Sequence, residues 1–416
     1  MNSSLNKERD SARAGYNDKE ELRKGGLVPQ AKIAHSILDV PPSRIRELAN
    51  IAFTMDGVLK LYFGESNLPT PQYIKDAAVR ALQEGFTFYT HNAGLPCLRL
   101  AIAEKYHELH RISLNPESEI VVTASGVQAL NLAIRCLLDP SDEALLLTPA
   151  WPNASAIVRL CSAVPREIPL VLDGTRYQID FEALQAAIGS RTRLLVYTSP
   201  SNPLGWVATE KDQKQLLEFC RKHGLWLLAD EVYERLYYGS TVAPSILRKC
   251  HRDEPVVVAH SFSKSYCMTG WRLGWLVGRS DLVQKATEMN EFIISHAPSM
   301  VQKAGETALR EGESEIKSMV TRLKENLEFC QSALESMPGV VLPKPEGAFY
   351  LFPRIKGLQD SFEFCRRLLL ETRVGLAPGV AFGNGGEGSI RICYAADRSV
   401  LEPAMARLGE FLSNRK

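Results

Sequence analysis

A chain of 416 residues, 45% hydrophobic and 23% charged, carries enough apolar material for one large core and a second, smaller one. Its 49 basic and 48 acidic residues leave a net charge of +1, so no overall field gathers nucleic acid or an anionic membrane, and any anion site has to be local. Nine cysteines without a C-x-x-C pair fit a reducing compartment and argue against structural zinc; with no apolar run of bilayer length and no hydrophobic signal region, they predict a cytoplasmic protein.

Residues 1–30 are charged and poor in large apolar side chains, and read as a disordered extension. From about residue 95, short apolar runs alternate with longer amphipathic ones, the pattern of repeated βα units. Strands are expected at 119–123, 143–148, 193–198, 225–229, 256–260 and 272–277, several of them hydrophobic throughout, as strands covered on both faces must be. The stretch 210–223 reads as a helix, opened by Thr209 and Asp212 in capping-box spacing and closed by Gly224. Ile316, Met319, Val320, Leu323, Leu327, Cys330 and Leu334 recur at helical spacing and predict a long amphipathic helix. Shorter strands follow near 348–352 and 389–394, with a helix near 362–371. The expected fold class is α/β: a large domain over 65–310 with a mostly parallel sheet layered by helices, and a smaller α+β domain formed by 31–64 with 311–416.

Four short motifs mislead. Gly383, Gly385 and Gly388 satisfy G-x-G-x-x-G but lead into a strand, so a glycine-rich loop is the better reading. His107 and His110 fall at i+3, one short of the metalloprotease spacing, and read as solvated helix residues. Ser261 to Lys264 forms S-x-x-K without the S-D-N or K-T-G that acylating serine enzymes add. Asn153-Ala154-Ser155 is a glycosylation acceptor only in a secreted chain.

The informative residues sit at carboxyl ends of predicted strands, where open α/β sheets place their ligands. Gly126 opens a helix in Ser125-Gly126-Val127-Gln128, whose free N–H groups can hold a phosphate, although a plain tight turn explains that signal alone. Asp230 ends a strand in Asp230-Glu231-Val232-Tyr233; a carboxylate there implies a cation or donors to meet it, unless it only caps a helix. Lys264 follows the strand 256–260 among hydroxyls, with Arg272 available for a phosphate, although a lone lysine is most often a surface charge.

With these residues in place the sequence resembles the fold-type I pyridoxal-phosphate aminotransferases of class I/II, the aspartate aminotransferase-like group. The resemblance runs from about residue 36 to the end. It rests on motifs in order: Gly64-Glu65-Ser66-Asn67 with Thr70-Pro71, Tyr89 before Gly94, Gly126 to Gln128, Pro149-Ala150-Trp151-Pro152, Asn202-Pro203-Leu204-Gly205, Asp230 to Tyr233, Ser261 to Lys264, Arg272, Glu346-Gly347-Ala348-Phe349-Tyr350 and Arg391. The resemblance implies that Lys264 forms the Schiff base with pyridoxal 5'-phosphate and moves the substrate proton. By the same resemblance Asp230 pairs with the pyridinium nitrogen, Asn202 and Tyr233 bond the ring's phenolic oxygen, and Trp151 stacks on the ring. Gly126, Val127, Gln128, Ser261, Ser263 and Arg272 hold the phosphate, with Tyr89 from the second subunit of a homodimer. Arg391 grips the substrate carboxylate, assisted by Asn202 and Gly64. Two departures stand out: Val127 where one aspartate- and prephenate-specific subgroup has lysine, and Leu204 where threonine is usual.

The implied activity moves the amino group of an L-amino acid to a 2-oxo acid by a ping-pong mechanism. The same constellation also serves α,β-eliminating lyases, cyclopropane-forming synthases and amino-acid oxidases. A non-catalytic regulator with an aminotransferase-like sensor domain is disfavoured, because the segment before the resemblance is too short and charged for a winged helix. No metal, nucleic-acid or membrane partner is expected.

Overall fold

The computed structural model describes residues 32–414; the extension expected over residues 1–30 lies outside them. Contacts divide the chain into Met1–Asp39 and Val40–Lys416. The described part of the first unit holds the four-residue helix His35–Leu38, and the described strands and other helices belong to the second.

At the centre of the second unit lies a seven-stranded sheet: β1 (Ile120–Thr123), β2 (Glu143–Thr148), β3 (Val164–Pro169), β4 (Thr192–Thr198), β5 (Trp226–Asp230), β6 (Val256–Ser261) and β7 (Gly274–Gly278), in the spatial order β1-β7-β6-β5-β4-β2-β3. All neighbours run parallel except β7, which is antiparallel to both β1 and β6. The six expected strands are present. The last of them begins two residues later than the sequence suggests, because Thr269–Trp271 is a 3-10 turn and Arg272 adopts a left-handed φ of 55°. The strand missed is β3, at the sheet edge. Its Val-Pro-Arg-Glu-Ile-Pro sequence hides it, since proline within a run argues against a strand everywhere except at an edge, where its missing N–H costs no ladder bond.

Strands β1 and β2 are buried along their whole length, and β5 is buried from Leu227 on, which requires helices on both faces. Helix α1 (Pro96–His110) and α3 (Ser299–Glu311) pack together in the core that contains Leu227 and Val258. Helix α2 (Gly126–Leu137) buries Ala129, Leu130, Ala133 and Ile134 in the core that contains Leu228 and Ala259. The helix Glu210–His223 has the expected capping box, and Gly224 closes it at φ 66°. The periodic run beyond residue 312 forms α4 (Glu313–Glu335), with Ile316, Met319, Leu323, Cys330 and Leu334 buried. Small sheets follow: Tyr350–Leu351 and Ala377–Pro378 flank Ile390–Cys393, and Leu59–Lys60 pairs with Val374–Gly375. Among the described residues no helix is long and apolar enough to cross a membrane.

One expectation is overturned. His107 is exposed as anticipated, but His110 is only 3% exposed. It ends α1 pointing into the protein, with Nε2 2.9 Å from Oε2 of the buried Glu234. A histidine can be buried there because that carboxylate supplies its partner.

Candidate active site

The register brings the site together. Asp230 at the end of β5 lies beside Thr198 of β4 and Ala259 of β6, and Gly274 at the start of β7 faces both Ser261 and Thr123. Above these strand ends opens a cavity of about 1230 Å³. Of the residues expected from sequence, Gly64, Gly126, Val127, Trp151, Asn202, Asp230, Tyr233, Ser261, Ser263, Lys264, Arg272 and Arg391 line it. Gly274 has to be glycine: a Cβ there would lie 2.6 Å from the backbone N of Gly126 and from the carbonyl O of His260, so β7 can press against the start of α2 only without a side chain. Ser125 caps α2, with Oγ accepting from the Gln128 N–H at 3.2 Å, and holds a strained φ of 126°. Backbone strain of this kind concentrates at functional sites.

The charged groups facing the cavity lack full partners. Asp230 is buried, and its one hydrogen-bond donor among the described residues is the Val232 N–H at 3.3 Å. Burial pushes its carboxyl up to about 6 against the pull of that N–H and of the nearby His260 and Lys264 side chains. Lys264 Nζ donates to the Gly64 carbonyl at 2.5 Å. Burial drives its amine down to about 8; the Arg391 charge lowers it further, while Cys393, Glu65 and Asp230 oppose the shift. Tyr233 donates to or accepts from the Tyr350 hydroxyl at 2.7 Å, and burial raises its phenol. Arg391 is buried on the strand Ile390–Cys393, donates from Nη1 to Asn202 Oδ1 at 2.9 Å and from Nη2 to the Tyr62 carbonyl, and stacks over the rings of Tyr350 and Phe382 at 4.7 and 4.9 Å. Its Nε has no partner among the described residues.

These features test the cofactor that the motifs imply. A buried carboxylate with one weak donor calls for a cation. A lysine close to neutrality is a nucleophilic amine, and a capped helix start beside two serine hydroxyls is an anion cradle. Ser261 Oγ stands 2.9 Å from Ser263 Oγ there, with Arg272 on the same wall. The donor set fits pyridoxal 5'-phosphate at every end of the molecule: aldehyde, ring nitrogen and phosphate.

Two expected residues are placed elsewhere. The Gln128 side chain turns to Asn290, donating at 2.7 Å, and its backbone N–H is engaged by Ser125. Tyr89 is 90% exposed, its ring 5.8 Å from that of His296. Sequence reasoning omitted Tyr62, Tyr350 and Phe382 from the site. Tyr350 lay within a motif already noted, but nothing in the sequence says that its hydroxyl reaches Tyr233. The unusual Leu204 is buried in the core below the cavity, in a turn whose Gly205 carbonyl accepts the Glu346 and Gly347 N–H groups at 2.8 and 3.0 Å.

An open α/β sheet with a near-neutral lysine, a buried acid and an anion cradle at its strand ends defines a pyridoxal-phosphate enzyme. The sequence profile of "Aminotransferase class I and II" matches residues 57–408, and the chain belongs to that family. An aspartate aminotransferase of Pyrococcus horikoshii is 36% identical over 387 residues, covering 92% of this chain and 98% of that protein. Aromatic-amino-acid aminotransferase 2 of Thermococcus litoralis is 34% identical, covering 91% and 97%. The crystal structure of aspartate aminotransferase from Thermotoga maritima superposes with a TM-score of 0.86 at 31% identity, covering 92% and 100%. The protein is an aminotransferase dependent on pyridoxal phosphate; the lyase, oxidase and regulator readings are not favoured.

Proposed function

We propose that this aminotransferase transfers the amino group of an L-amino acid to a 2-oxo acid in two half-reactions at the cavity above Asp230 and Lys264. The observation that carries the reading is the pairing of an amine lowered to about 8 with a carboxylate raised to about 6 in one cavity. When bound, pyridoxal phosphate supplies an electron sink for the pair left at Cα once its proton is removed. Lys264 would hold the cofactor covalently, and its Nζ, when free, would move the substrate's Cα proton. Asp230 would pair with the cofactor's ring nitrogen and favour its protonated form. Tyr233 and Asn202 would hydrogen-bond the cofactor's phenolic oxygen, and Trp151 would cover its ring. The N–H groups at Gly126 and Val127, with Ser261, Ser263 and Arg272, would hold the phosphate. Arg391, aided by Asn202 and Gly64, clamps the substrate carboxylate, and its unpartnered Nε supports that role.

The working assembly is a homodimer in which Tyr89 reaches the phosphate of the partner subunit. Exposed apolar side chains support this: Phe88, Tyr89 and Phe292 are 80%, 90% and 88% exposed, and Ser299 Oγ ties the Phe88 carbonyl to α3 at 3.2 Å. Exposed aromatic side chains of this kind are a common mark of a surface that a partner covers. Residues 65–310 serve as the cofactor-binding domain. Residues 311–416 form the small domain together with the segment before Gly64, whose Leu59–Lys60 strand pairs with Val374–Gly375. The cytoplasm is the proposed compartment, consistent with nine free cysteines.

In the decisive experiment the protein is loaded with pyridoxal phosphate, reduced with borohydride and digested; the label belongs on the peptide carrying Lys264. The loaded protein is then given one amino acid without acceptor, starting with aspartate and the aromatic amino acids named for the relatives. One equivalent of 2-oxo acid and the aminated cofactor are expected, and release of ammonia refutes the reading.

A further inference from the structure

Behind the cavity lies a second ionisable cluster that the reaction does not use. Side chains alternate along β6: Ser261 lines the cavity, so its neighbour His260 points through to the other face of the sheet. There its ring stacks on Trp275, its register partner on β7, at 4.1 Å and 11°. Glu234, one residue beyond Tyr233, reaches the same place. Its Oε1 is 3.1 Å from His260 Nε2 and its Oε2 is 2.9 Å from His110 Nε2, with all three side chains buried. Burial alone would favour a neutral carboxyl; the two histidines reverse this and hold Glu234 well below the usual carboxylate range. His260 Nε2 contacts Glu234 at 3.1 Å without forming a hydrogen bond, and has no hydrogen-bond partner among the described residues. On the far side of the ring, His260 Nδ1 accepts the Ser261 N–H at 2.9 Å. Accepting there requires Nδ1 to be unprotonated, so the ring proton sits on Nε2, the nitrogen on the Glu234 side of the ring.

A polar chain therefore runs from Glu234 through the His260 ring to the Ser261 backbone. It continues to Ser261 Oγ, which accepts the Ser263 N–H at 3.1 Å and donates to Ser263 Oγ at 2.9 Å. We infer that Glu234 and His260 are positioning residues for the phosphate: by fixing the imidazole behind the sheet they fix the amide and hydroxyls at the start of the loop that ends in Lys264. His110 balances the charge of Glu234, so that no net negative charge stands behind the phosphate. The inference rests on the proposal that Ser261 and Ser263 hold the phosphate.

The test compares two ligands on the full chain stripped of cofactor: pyridoxal phosphate, and pyridoxal, which lacks the phosphate ester. His260→Phe keeps a flat ring on Trp275 and removes the Nδ1 acceptor. It is expected to weaken pyridoxal phosphate binding about tenfold, the size of one lost hydrogen bond, and to change pyridoxal binding less than twofold. Glu234→Gln keeps the shape without the charge and is expected to move the same ratio in the same direction by a few-fold. His260→Asn, whose Oδ1 can stand near the lost Nδ1, is expected to recover part of the loss, which a purely structural role would not produce. Parallel weakening of both ligands, or an unchanged ratio in these variants, overturns the inference. Failure of the unsubstituted chain to take up the borohydride label at Lys264 would instead overturn the reading of the site itself.

Discussion

Asp230 and Glu234 are two buried carboxylates four residues apart on one turn, and their surroundings are opposite. Glu234 faces two imidazoles within 3.1 Å and stays ionised. Asp230 has one backbone N–H at 3.3 Å, and burial lifts it to about 6. Desolvation acts on both; what differs is the counter-charge. The protein completes one carboxylate from within and leaves the other for a ligand to complete. In a chain with a net charge of +1, this local imbalance, and no global field, marks the site.

The sharpest way to break the comparison is to remove the completed charge. Glu234→Ala leaves two buried imidazoles facing a void and is expected to cost about 3–5 kcal/mol, read by denaturant unfolding of the cofactor-free chain. A loss below about 1 kcal/mol would mean that the cluster is solvated and the contrast with Asp230 is false.

Asp230→Asn is expected to lower turnover about 10²–10³-fold, the scale of one lost electrostatic contact in a closed site. Its effect on the cofactor-free protein has the opposite sign to that of Glu234→Ala. Between the ordinary aspartate value of 3.8 and about 6, the folded state binds more protons than the unfolded one, so rising pH through that window lowers stability. The full cost is present above about pH 6. Asn removes it, and the melting temperature of the cofactor-free variant at pH 7.5 is expected to equal or exceed that of the parent. A lower value would show that Asp230 already has its partner.

A smaller effect concerns Lys264. Only the uncharged amine attacks an aldehyde, and the amine loses its proton near 8. Capture of pyridoxal phosphate by the stripped protein should therefore accelerate about tenfold per pH unit below that value and level off above it, as followed by stopped-flow absorbance. Arg391 helps to lower Lys264, so Arg391→Gln should move the inflection upward. An inflection near 10 in the parent would mean that the ammonium is solvated.

Much of this was legible in the sequence because it follows from local rules. Buried parallel strands show as unbroken apolar runs, and every expected residue at a strand end, Asp230, Ser261 and Lys264 among them, lines the cavity. Edge strand β3 was hidden by Pro165 and Pro169, since no local pattern tells a tolerated edge proline from a strand breaker. Tyr62 contributes a carbonyl to Arg391 from 329 residues away, and a backbone acceptor leaves no trace in residue type. His110 was misjudged for a related reason: its partner Glu234 lies 124 residues further along the chain, and the i+3 spacing to His107 says nothing about which of the two faces inward.

That pair of histidines gives the finest test, because one helix carries both. His107→Ala, on the exposed side of α1, is expected to change stability by less than about 0.5 kcal/mol. His110→Ala removes the imidazole hydrogen-bonded to Glu234 and is expected to cost about 1–3 kcal/mol. Burial lowers the His110 imidazole, but the charges of Glu234 and Glu231 and the hydrogen bond to Glu234 outweigh it, leaving it above the usual histidine range. A raised histidine contributes stability that is complete below its unfolded value near 6.5 and is lost as pH rises through its folded value. The stability difference between the parent and His110→Ala should therefore shrink from pH 6 toward pH 9. A difference that stays constant across that range would mean that His110 is neutral throughout, and that Glu234 draws its stabilisation from His260 alone.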